Sequence, residues 1–300
     1  TDNNQRTYSY GLSLAAVRRL QAKRIPIVLC STKTSAEIIL LWRELELDNP
    51  FICENGGAIY MPRDYLKVTL LGLKTDGPFE VLELGTDVNC LRHALADAAG
   101  ACGVFLRTFG QMEVDEIAAL TGLSLDQAAR ALERRYDEPF LVQSGDSEKM
   151  AAMLRAKKLT ITKGDRFYHL SGGHTKRDAV EALLNLHRDQ YGQVISIGLG
   201  NSASDGPMLS AVDRPVLVRN PDGRWDGTVV EAIPDVERTI GTGPQGWREA
   251  IDGILDEAVW QHAEPATRFW QYAPLDRVPA TENTEVRVVQ DDRALYFGVI

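Results

Sequence analysis

Several features are scarce in this sequence, and each scarcity excludes a class of protein. Only four cysteines occur among 300 residues, without Cys-x-x-Cys spacing, which argues against a disulfide scaffold or a zinc module. No apolar run approaches the roughly 18 residues of a transmembrane helix, so no membrane partner is expected. Basic residues number 33 against 42 acidic ones, and the net charge of −9 argues against a nucleic-acid partner. Cys30 and Cys53 lie in apolar runs and are predicted to be buried free thiols, so a cytoplasmic location is expected.

The first 77 residues contain the alternation of strand and helix that predicts an α/β fold. The apolar run from Ile25 to Cys30 is typical of a fully buried parallel strand. Thr34 with Glu37 three residues later predicts a capping box that opens a helix. Two short apolar segments on either side of Glu54-Asn55-Gly56-Gly57 predict a strand, a turn and a second strand. This rhythm indicates a doubly wound, mostly parallel Rossmann-like sheet.

The pattern changes over residues 78–173, where two amphipathic helices and short alternating strands predict an inserted α+β cap. The helices are predicted at Val88–Ala99 and at Ser124–Tyr136. The alternation of strand and helix then resumes, beginning with a helix from Lys176 to His187. We therefore predict a core domain formed by residues 1–77 and 174–250, a cap domain at 78–173, and a separate tail at 251–300.

Three positions carry residue types suited to phosphate chemistry. The strand Val194–Leu199 runs into Gly200 and a polar loop that ends at Asp205, which could be a nucleotide-binding turn, an acidic metal loop or a helix cap. Too few glycines are present for the nucleotide-binding turn. Ser31 lies in a hydroxyl-rich loop before a helix, which could cradle a phosphate or only cap the helix. Lys176, in the first turn of a helix, has a charge unfavourable to the helix dipole, which indicates a nearby anion or a solvated side chain.

The ordered set of motifs resembles the mannosyl-3-phosphoglycerate phosphatase family of the haloacid dehalogenase superfamily. The resemblance covers roughly residues 7–250. The matching segments are residues 7–10, 28–34, 54–59, 116–118, 120–124, Asp137-Glu138-Pro139-Phe140, 164–170 with Gly172-Gly173, Gly198-Leu199-Gly200, Pro207-Met208-Leu209 and 243–247.

The resemblance implies a Mg²⁺-dependent phosphomonoesterase that converts mannosyl-3-phosphoglycerate to mannosylglycerate and phosphate through an aspartyl-phosphate, in compatible-solute synthesis. A small phosphorylated glycoside is then the expected substrate partner, and the oligomeric state is left open. The family alignment implies that Ser31 and Lys176 are catalytic and that Asp205 and Asn201 hold Mg²⁺. The implied substrate-binding residues, which would grip the carboxylate and the sugar, are Lys33, Arg166, His169, Gly172 and Gly173. For Arg166 and His169, an ordinary place on the surface of a cap strand is an equal alternative.

The sequence departs from the family pattern at two places. It contains no Asp-x-Asp-Gly motif, which in the family carries the nucleophile and the general acid; the chain begins Thr1-Asp2. The chain as given is therefore expected to be inactive, either as a fragment or as a natural remnant. Asn201 stands where the family usually has aspartate, so weaker metal binding is expected.

Residues 251–300 resemble the beginning of a carbohydrate-binding family-nine-like β-sandwich. Too few strands are present to bury both inner faces of a sandwich, so a partial domain is expected, with an appendage on the core as the alternative. With the missing motif, this tail supports a second hypothesis of a non-catalytic protein that binds a sugar or a phosphoglycerate. A phosphatase for glucosyl-3-phosphoglycerate or another sugar phosphate is the nearer alternative.

Overall fold

The computed structural model describes residues 11–67, 70, 72–163 and 166–255, together with five short strands between residues 265 and 299. The chain divides into two compact units, Thr1–Trp247 and Arg248–Ile300. Among the described residues, no helix has both the length and the apolar character to cross a membrane.

Ten α-helices and twelve strands cover the part of the chain described up to residue 255. The helices are α1 (Gly11–Ala22), α2 (Ser35–Glu44), α3 (Val88–Cys102), α4 (Val114–Thr121), α5 (Leu125–Leu132), α6 (Ser147–Ala156), α7 (Lys176–Tyr191), α8 (Gly206–Leu209), α9 (Gly227–Ala232) and α10 (Gly243–Leu255). The strands are β1 (Leu29–Cys30), β2 (Phe51–Cys53), β3 (Ala58–Pro62), β4 (Lys74–Asp76), β5 (Phe79–Glu83), β6 (Phe105–Thr108), β7 (Asp137–Ser144), β8 (Thr160–Lys163), β9 (Tyr168–Ser171), β10 (Ile197–Gly200), β11 (Arg214–Arg219) and β12 (Glu237–Thr242).

The strands of the predicted core lie in two sheets. One has the order β1-β2-β3-β5-β4, in which β1 and β2 are parallel and the other neighbours are antiparallel. The second has the order β10-β11-β12 and is parallel throughout. A single apolar cluster joins Ile52 and Ile59 of the first sheet to Leu217 of the second, with Leu183 of α7 between them. The predicted α/β class is confirmed, as a mixed arrangement of parallel and antiparallel strands.

Both β1 and β10 are edge strands among the described residues. Each has a single described ladder partner, β2 and β11 respectively, and each of these pairs is parallel. Edge strands leave one row of backbone N–H and C=O groups without a ladder partner.

The described residues between 88 and 171 form the four-stranded antiparallel sheet β6-β7-β9-β8 and the helices that pack on it. One face of this sheet packs on α3 and α6 through a cluster that includes Leu91, Phe140, Leu154 and Leu170. A second cluster, around Ile117, joins α4 and α5 to this part of the chain. The predicted boundary between core and cap remains a prediction, because both parts belong to one compact unit.

Several predicted elements have different ends in the structure. The strand predicted from Ile25 is paired only at Leu29 and Cys30, which lie opposite Phe51 and Ile52 of β2. The helix predicted to reach Tyr136 ends at Leu132, since the backbone N–H groups of the next segment bond elsewhere. The capping box of Thr34 and Glu37 forms as predicted.

The turn after β2 requires glycine at one position. Glu54, Asn55 and Gly56 all have positive φ, with 97° at Gly56. A Cβ atom on Gly56 would overlap the backbone carbonyl of Thr175. This close approach places the turn directly against the first residues of α7.

The second unit contains five described strands. They are β13 (Pro265–Ala266), β14 (Trp270–Gln271), β15 (Val278–Pro279), β16 (Val286–Gln290) and β17 (Leu295–Val299). Strands β16 and β17 form an antiparallel ladder in which Val288 lies opposite Phe297, and β13 pairs with β16. Residues 251–255, predicted to open the partial sandwich, are instead the last residues of the helix α10, so the predicted start of the tail is wrong. The remaining residues of the predicted sandwich lie outside the described residues, and the sandwich remains a prediction.

Candidate active site

A buried ion pair between Lys176 and Asp205 forms the centre of the candidate site. Lys176 is the first residue of α7, which begins with the capping box of Thr175 and Asp178. Its side chain is only 4% exposed, and Nζ donates to Asp205 Oδ1 at 2.7 Å. The cation is therefore held at the helix N-terminus by a specific carboxylate, which excludes the alternative of a solvated lysine.

Asp205 is fixed by its own loop as well as by Lys176. Its Oδ2 atom accepts hydrogen bonds from the backbone N–H of Asn201 at 3.0 Å and of Ser202 at 3.3 Å, and from the Ser202 hydroxyl at 3.2 Å. Burial by itself would raise the pKa of Asp205, but Lys176 and these donors outweigh it, so the pKa lies below its usual value. A Cβ on Gly200 would come within 2.5 Å of Asp205 Cβ, so the loop requires glycine there.

Ser31 follows the end of β1 and lies in the loop before α2. Its backbone N–H donates to Ile52 O at 3.0 Å, and its Oγ accepts from the backbone N–H of Lys33 at 3.2 Å. Lys33 itself forms an ion pair with Glu37 at 2.7 Å. The loop is therefore ordered by its own contacts, and Lys33 already has a carboxylate partner.

The charges of Lys176 and Asp205 act on the thiol of Cys30, which directly precedes Ser31. Burial raises the pKa of the Cys30 thiol to about 12, while the nearby Lys176 lowers it and Asp205 raises it. The end of β1 therefore lies near the Lys176–Asp205 pair, as expected for strand ends that meet at one edge of an α/β core. Cys30 and Cys53 are free thiols, and Cys53 is fully buried as predicted while Cys30 is partly buried.

Asn201, predicted to bind a metal, has its side chain oriented by Asn220. Asn201 Nδ2 donates to Asn220 Oδ1 at 2.8 Å, and Asn220 Nδ2 donates back to the Asn201 carbonyl at 3.0 Å. The amide oxygen of Asn201 thus remains without a hydrogen-bond partner among the described residues. Within that part of the chain, no group of three or more His, Cys, Asp and Glu could hold a metal ion.

The side-chain oxygens of Asp205 and Asn201 fit a magnesium ion only as part of a larger ligand set. Asp205 and Asn201 offer one carboxylate and one unpartnered amide oxygen. Mg²⁺ prefers such oxygen ligands and commonly combines one or two carboxylates with water and substrate phosphate. The chemistry of the donors is therefore suitable, while their number requires further ligands from outside this pair.

A second buried ion pair lies at the start of β7. Arg134 Nη1 donates to Asp137 Oδ2 at 2.7 Å and to the Thr32 carbonyl at 3.0 Å, next to Ser31. His169 Nδ1 contacts the same Asp137 oxygen at 2.8 Å. Asp137 is 0% exposed, and its Oδ1 atom has no hydrogen-bond partner within the described part of the chain. The structure thus joins the predicted substrate residue His169 to the Ser31 loop through two residues that were not predicted to belong to the site.

Glu54 is another buried carboxylate at this junction. It accepts hydrogen bonds from the backbone N–H groups of Arg135, at 3.1 Å, and Tyr136, at 2.8 Å. Burial raises its pKa, and the nearby Arg134 and the two backbone donors oppose that rise only in part. The segment that follows α5 is therefore bound to the turn after β2.

The remaining predicted substrate residues are not brought into contact with the ion pair by any described interaction. Arg166 Nη1 donates to the Leu120 carbonyl at 2.7 Å, at an exposed position. A Cβ on Gly172 would overlap the Thr86 side chain, and Gly173 has a φ of 82°. Packing and backbone conformation thus account for both glycines, and the substrate roles of all three residues remain predictions.

Sequence reasoning missed Arg134, Asp137, Glu54 and Asn220 as parts of the site. A signal existed for Asp137, since an acidic pair, Asp137-Glu138, begins an apolar strand and both residues are fully buried. Buried carboxylates normally have a partner. Nothing in the sequence indicates which arginine that partner is.

The fold has many relatives among solved structures. A haloacid dehalogenase-like hydrolase from Bacteroides thetaiotaomicron superposes with a TM-score of 0.56 at 18% identity, covering 84% of this chain and 95% of that one. A sugar phosphatase of haloacid dehalogenase subclass IIB gives 0.54 at 15% identity, covering 84% and 93%. At such identities the likeness shows the fold, which is that of the haloacid dehalogenase-like hydrolases.

The sequence relatives are more specific. A glucosyl-3-phosphoglycerate/mannosyl-3-phosphoglycerate phosphatase from Methanococcoides burtonii is 37% identical over 251 residues, covering 83% of this chain and 92% of the relative. One from Persephonella marina is 32% identical over 257 residues, covering 85% and 93%. No family model matches the chain. The chain belongs to the family of these phosphatases, as its motifs predicted, and is by family a phosphomonoester hydrolase.

Proposed function

We propose that this site hydrolyses the phosphate ester of a glycosyl-3-phosphoglycerate, with mannosyl-3-phosphoglycerate as the first candidate substrate and glucosyl-3-phosphoglycerate as the second. The observation that carries the proposal is the buried Lys176–Asp205 pair beside the loop of Ser31. A buried ammonium group at a helix N-terminus, next to backbone and hydroxyl donors, suits a phosphoryl group. The names of the sequence relatives supply the choice of glycoside.

In the proposed reaction, an aspartate oxygen attacks phosphorus and the bond from phosphorus to the glycerate oxygen breaks. A second aspartate protonates that oxygen as it leaves. Water then attacks the aspartyl-phosphate, which releases inorganic phosphate and regenerates the carboxylate. Ser31 binds the phosphoryl oxygens, and Lys176 offsets the negative charge of the nucleophile and the phosphate.

The proposal requires an aspartate pair that these 300 residues do not supply in an Asp-x-Asp-Gly motif. We propose that a strand bearing this motif pairs with the edges of β1 and β10. Its end would then lie beside Ser31, Lys176 and Asp205, which flank those two strand ends. Such a strand would also give both edges a ladder partner.

Mg²⁺, when bound, would neutralise charge on the phosphoryl oxygens. Asp205 and the amide oxygen of Asn201 would hold it, together with a carboxylate from the added strand. Because Asn201 is neutral, we expect Asn201→Asp to tighten Mg²⁺ binding. Calorimetric titration of the metal measures this directly, without reference to turnover.

The experiment compares the 300-residue chain with a version that carries an Asp-x-Asp-Gly strand ahead of Thr1. We expect the extended chain to release phosphate from mannosyl-3-phosphoglycerate in the presence of Mg²⁺, and a version with the first aspartate changed to asparagine to release none. The ratio of kcat/KM for the mannosyl and glucosyl substrates identifies the sugar. A folded extended chain that binds the glycoside without releasing phosphate would favour a non-catalytic binding protein.

A further inference from the structure

Glu54 is a buried residue with an unfavourable backbone conformation. Its φ is 46° and that of the next residue, Asn55, is 59°, in the left-handed region that residues other than glycine rarely adopt. Glu54 is only 1% exposed. A conformation of this kind costs free energy and persists where the surrounding structure requires it, often at a functional site. The requirement here lies in the contacts of Glu54, which reach three separate parts of the chain.

The first of these parts is the loop of Ser31. The backbone N–H of Glu54 donates to the Lys33 carbonyl at 2.9 Å, and that of Asn55 donates to the Ser31 carbonyl at 3.0 Å. The C=O and N–H of a planar trans peptide point in opposite directions, so holding the Ser31 carbonyl also fixes the direction of the Thr32 N–H. The turn that begins at Glu54 therefore orients the backbone donors of this loop.

The second part is the segment that leads into β7. Glu54 Oε2 accepts from the backbone N–H of Tyr136 at 2.8 Å, and both carboxylate oxygens accept from that of Arg135 at 3.1 Å. Arg134, the preceding residue, donates to the Thr32 carbonyl at 3.0 Å. The carboxylate of Glu54 therefore helps to place the arginine that binds the middle of the same loop.

The third part is the beginning of α7. The Glu54 carbonyl contacts His174 Nε2 at 3.1 Å, and because a carbonyl oxygen is only an acceptor, Nε2 carries the proton. His174 is 9% exposed. Gly56 lies against the backbone of Thr175, and Lys176 follows as the first residue of α7. Glu54 and its turn thus hold the two residues that directly precede this lysine.

We propose that Glu54 is a positioning residue of the proposed reaction, which holds Ser31 and Lys176 in one fixed arrangement with the start of β7. This inference rests on the proposed function and deepens it. Because one residue makes all three contacts, loss of its carboxylate frees the start of β7 and weakens the arrangement of the loop. The alternative is an anchor that holds the start of β7 and has no effect on Ser31 or Lys176.

The first test measures amide hydrogen exchange by NMR in the 300-residue chain without any ligand. Glu54→Ala removes the acceptor of the Tyr136 amide, which should exchange about tenfold faster or more. If Glu54 positions the loop, the Asn55 amide, which is bonded to the Ser31 carbonyl, should also exchange about tenfold faster. Glu83→Ala is the matched control, because Glu83 accepts from the Tyr136 hydroxyl at 2.7 Å and has no hydrogen bond to the loop of Ser31 among the described residues.

The Asn55 amide decides between the two roles. An unchanged exchange rate of this amide in Glu54→Ala, or an equal increase in Glu83→Ala, would overturn the inference. If Glu54→Ala does not fold, Glu54→Asp takes its place, because aspartate tolerates a positive φ and its carboxylate is one methylene too short to reach both N–H groups. Glu54→Gln keeps one acceptor oxygen and should restore most of the protection.

The second test measures turnover of mannosyl-3-phosphoglycerate by the extended chain. Misplaced groups lower the rate of the chemical step, so Glu54→Ala should lower kcat by about a hundredfold and change KM by less than about threefold. Glu54→Gln should recover at least about a tenth of the original kcat. An unchanged kcat with a raised KM would contradict the inference, because that result is expected of a residue that only anchors the start of β7.

The two proposals fail separately. If the extended chain releases phosphate from neither glycoside, the proposed function fails, and the exchange of the Asn55 amide still decides whether Glu54 positions the loop of Ser31. If the extended chain is active and Glu54→Ala retains full kcat, the positioning role fails and the proposed function stands.

Discussion

Lys176–Asp205 and Arg134–Asp137, two ion pairs among the described residues, differ in how completely their carboxylates are satisfied. Asp205 has Lys176 on one oxygen and three donors from its own loop on the other. Asp137 has Arg134 and His169 on one oxygen, and its other oxygen has no hydrogen-bond partner in the part of the chain that the structure describes. The Asp205 pair is therefore supported locally, whereas the Asp137 pair depends on residues from a helix end, another strand and the Ser31 loop.

This difference affects what each pair can do. A carboxylate with four donors is held in one place, which suits a group that must keep its position beside a phosphate. A carboxylate with an unused oxygen can still accept a donor, and it fixes a histidine at the sheet surface. Removing one member of each pair tests the contrast.

The largest expected effect is that of Arg134→Met. It leaves Asp137 buried with only His169 as a donor, so the free energy of unfolding should fall by roughly 3–5 kcal/mol. Urea denaturation measures the loss. Arg177→Met, which removes an exposed pair with Glu181, is the control and should cost less than about 0.5 kcal/mol. Equal losses in the two variants would show that the buried pair contributes no more to the free energy of unfolding than the exposed pair.

Lys176→Met should cost less than Arg134→Met, about 3 kcal/mol, because three donors remain on Asp205. The effect should depend on pH. The folded-state pKa of Asp205 is lowered, so its pairing stabilises the fold above the ordinary aspartate pKa of about 4 and is lost as the pH falls through the folded value. The difference between the variant and the unmodified chain should therefore shrink in acid. A difference that stays constant down to acid pH would contradict the pairing.

The smallest effect concerns Thr34, which links α2 to the end of α5. Its hydroxyl accepts from the Glu37 N–H at 3.2 Å and donates to the Arg130 carbonyl at 2.9 Å. Thr34→Ala removes both bonds and should cost about 2 kcal/mol. Ser124→Ala removes only a cap, in the capping box of α5, and should cost about 1 kcal/mol. If both variants lose the same stability in thermal denaturation, the bond to Arg130 contributes nothing.

Local sequence signals predicted the elements that depend on neighbouring residues. The capping box of Thr34 and Glu37 and the start of α7 at Lys176 are set by contacts within four residues, and both formed as predicted. The end of α5 was wrong by several residues. Glu54, about 80 residues away in sequence, takes the N–H groups of Arg135 and Tyr136 that a longer helix would have used.

The sequence by itself determined the fold class and the family, because motif residues and short-range periodicity carry that information, while the site roles of Ser31, Lys176 and Asp205 stay predictions. Only the tertiary structure decided which charges meet. It paired Lys176 with Asp205 and Arg134 with Asp137. It also oriented the side chain of Asn201 by a hydrogen bond to Asn220. Burial makes such pairing strong, since an isolated charge removed from water is costly, but which partner satisfies it depends on distances that residue order does not specify.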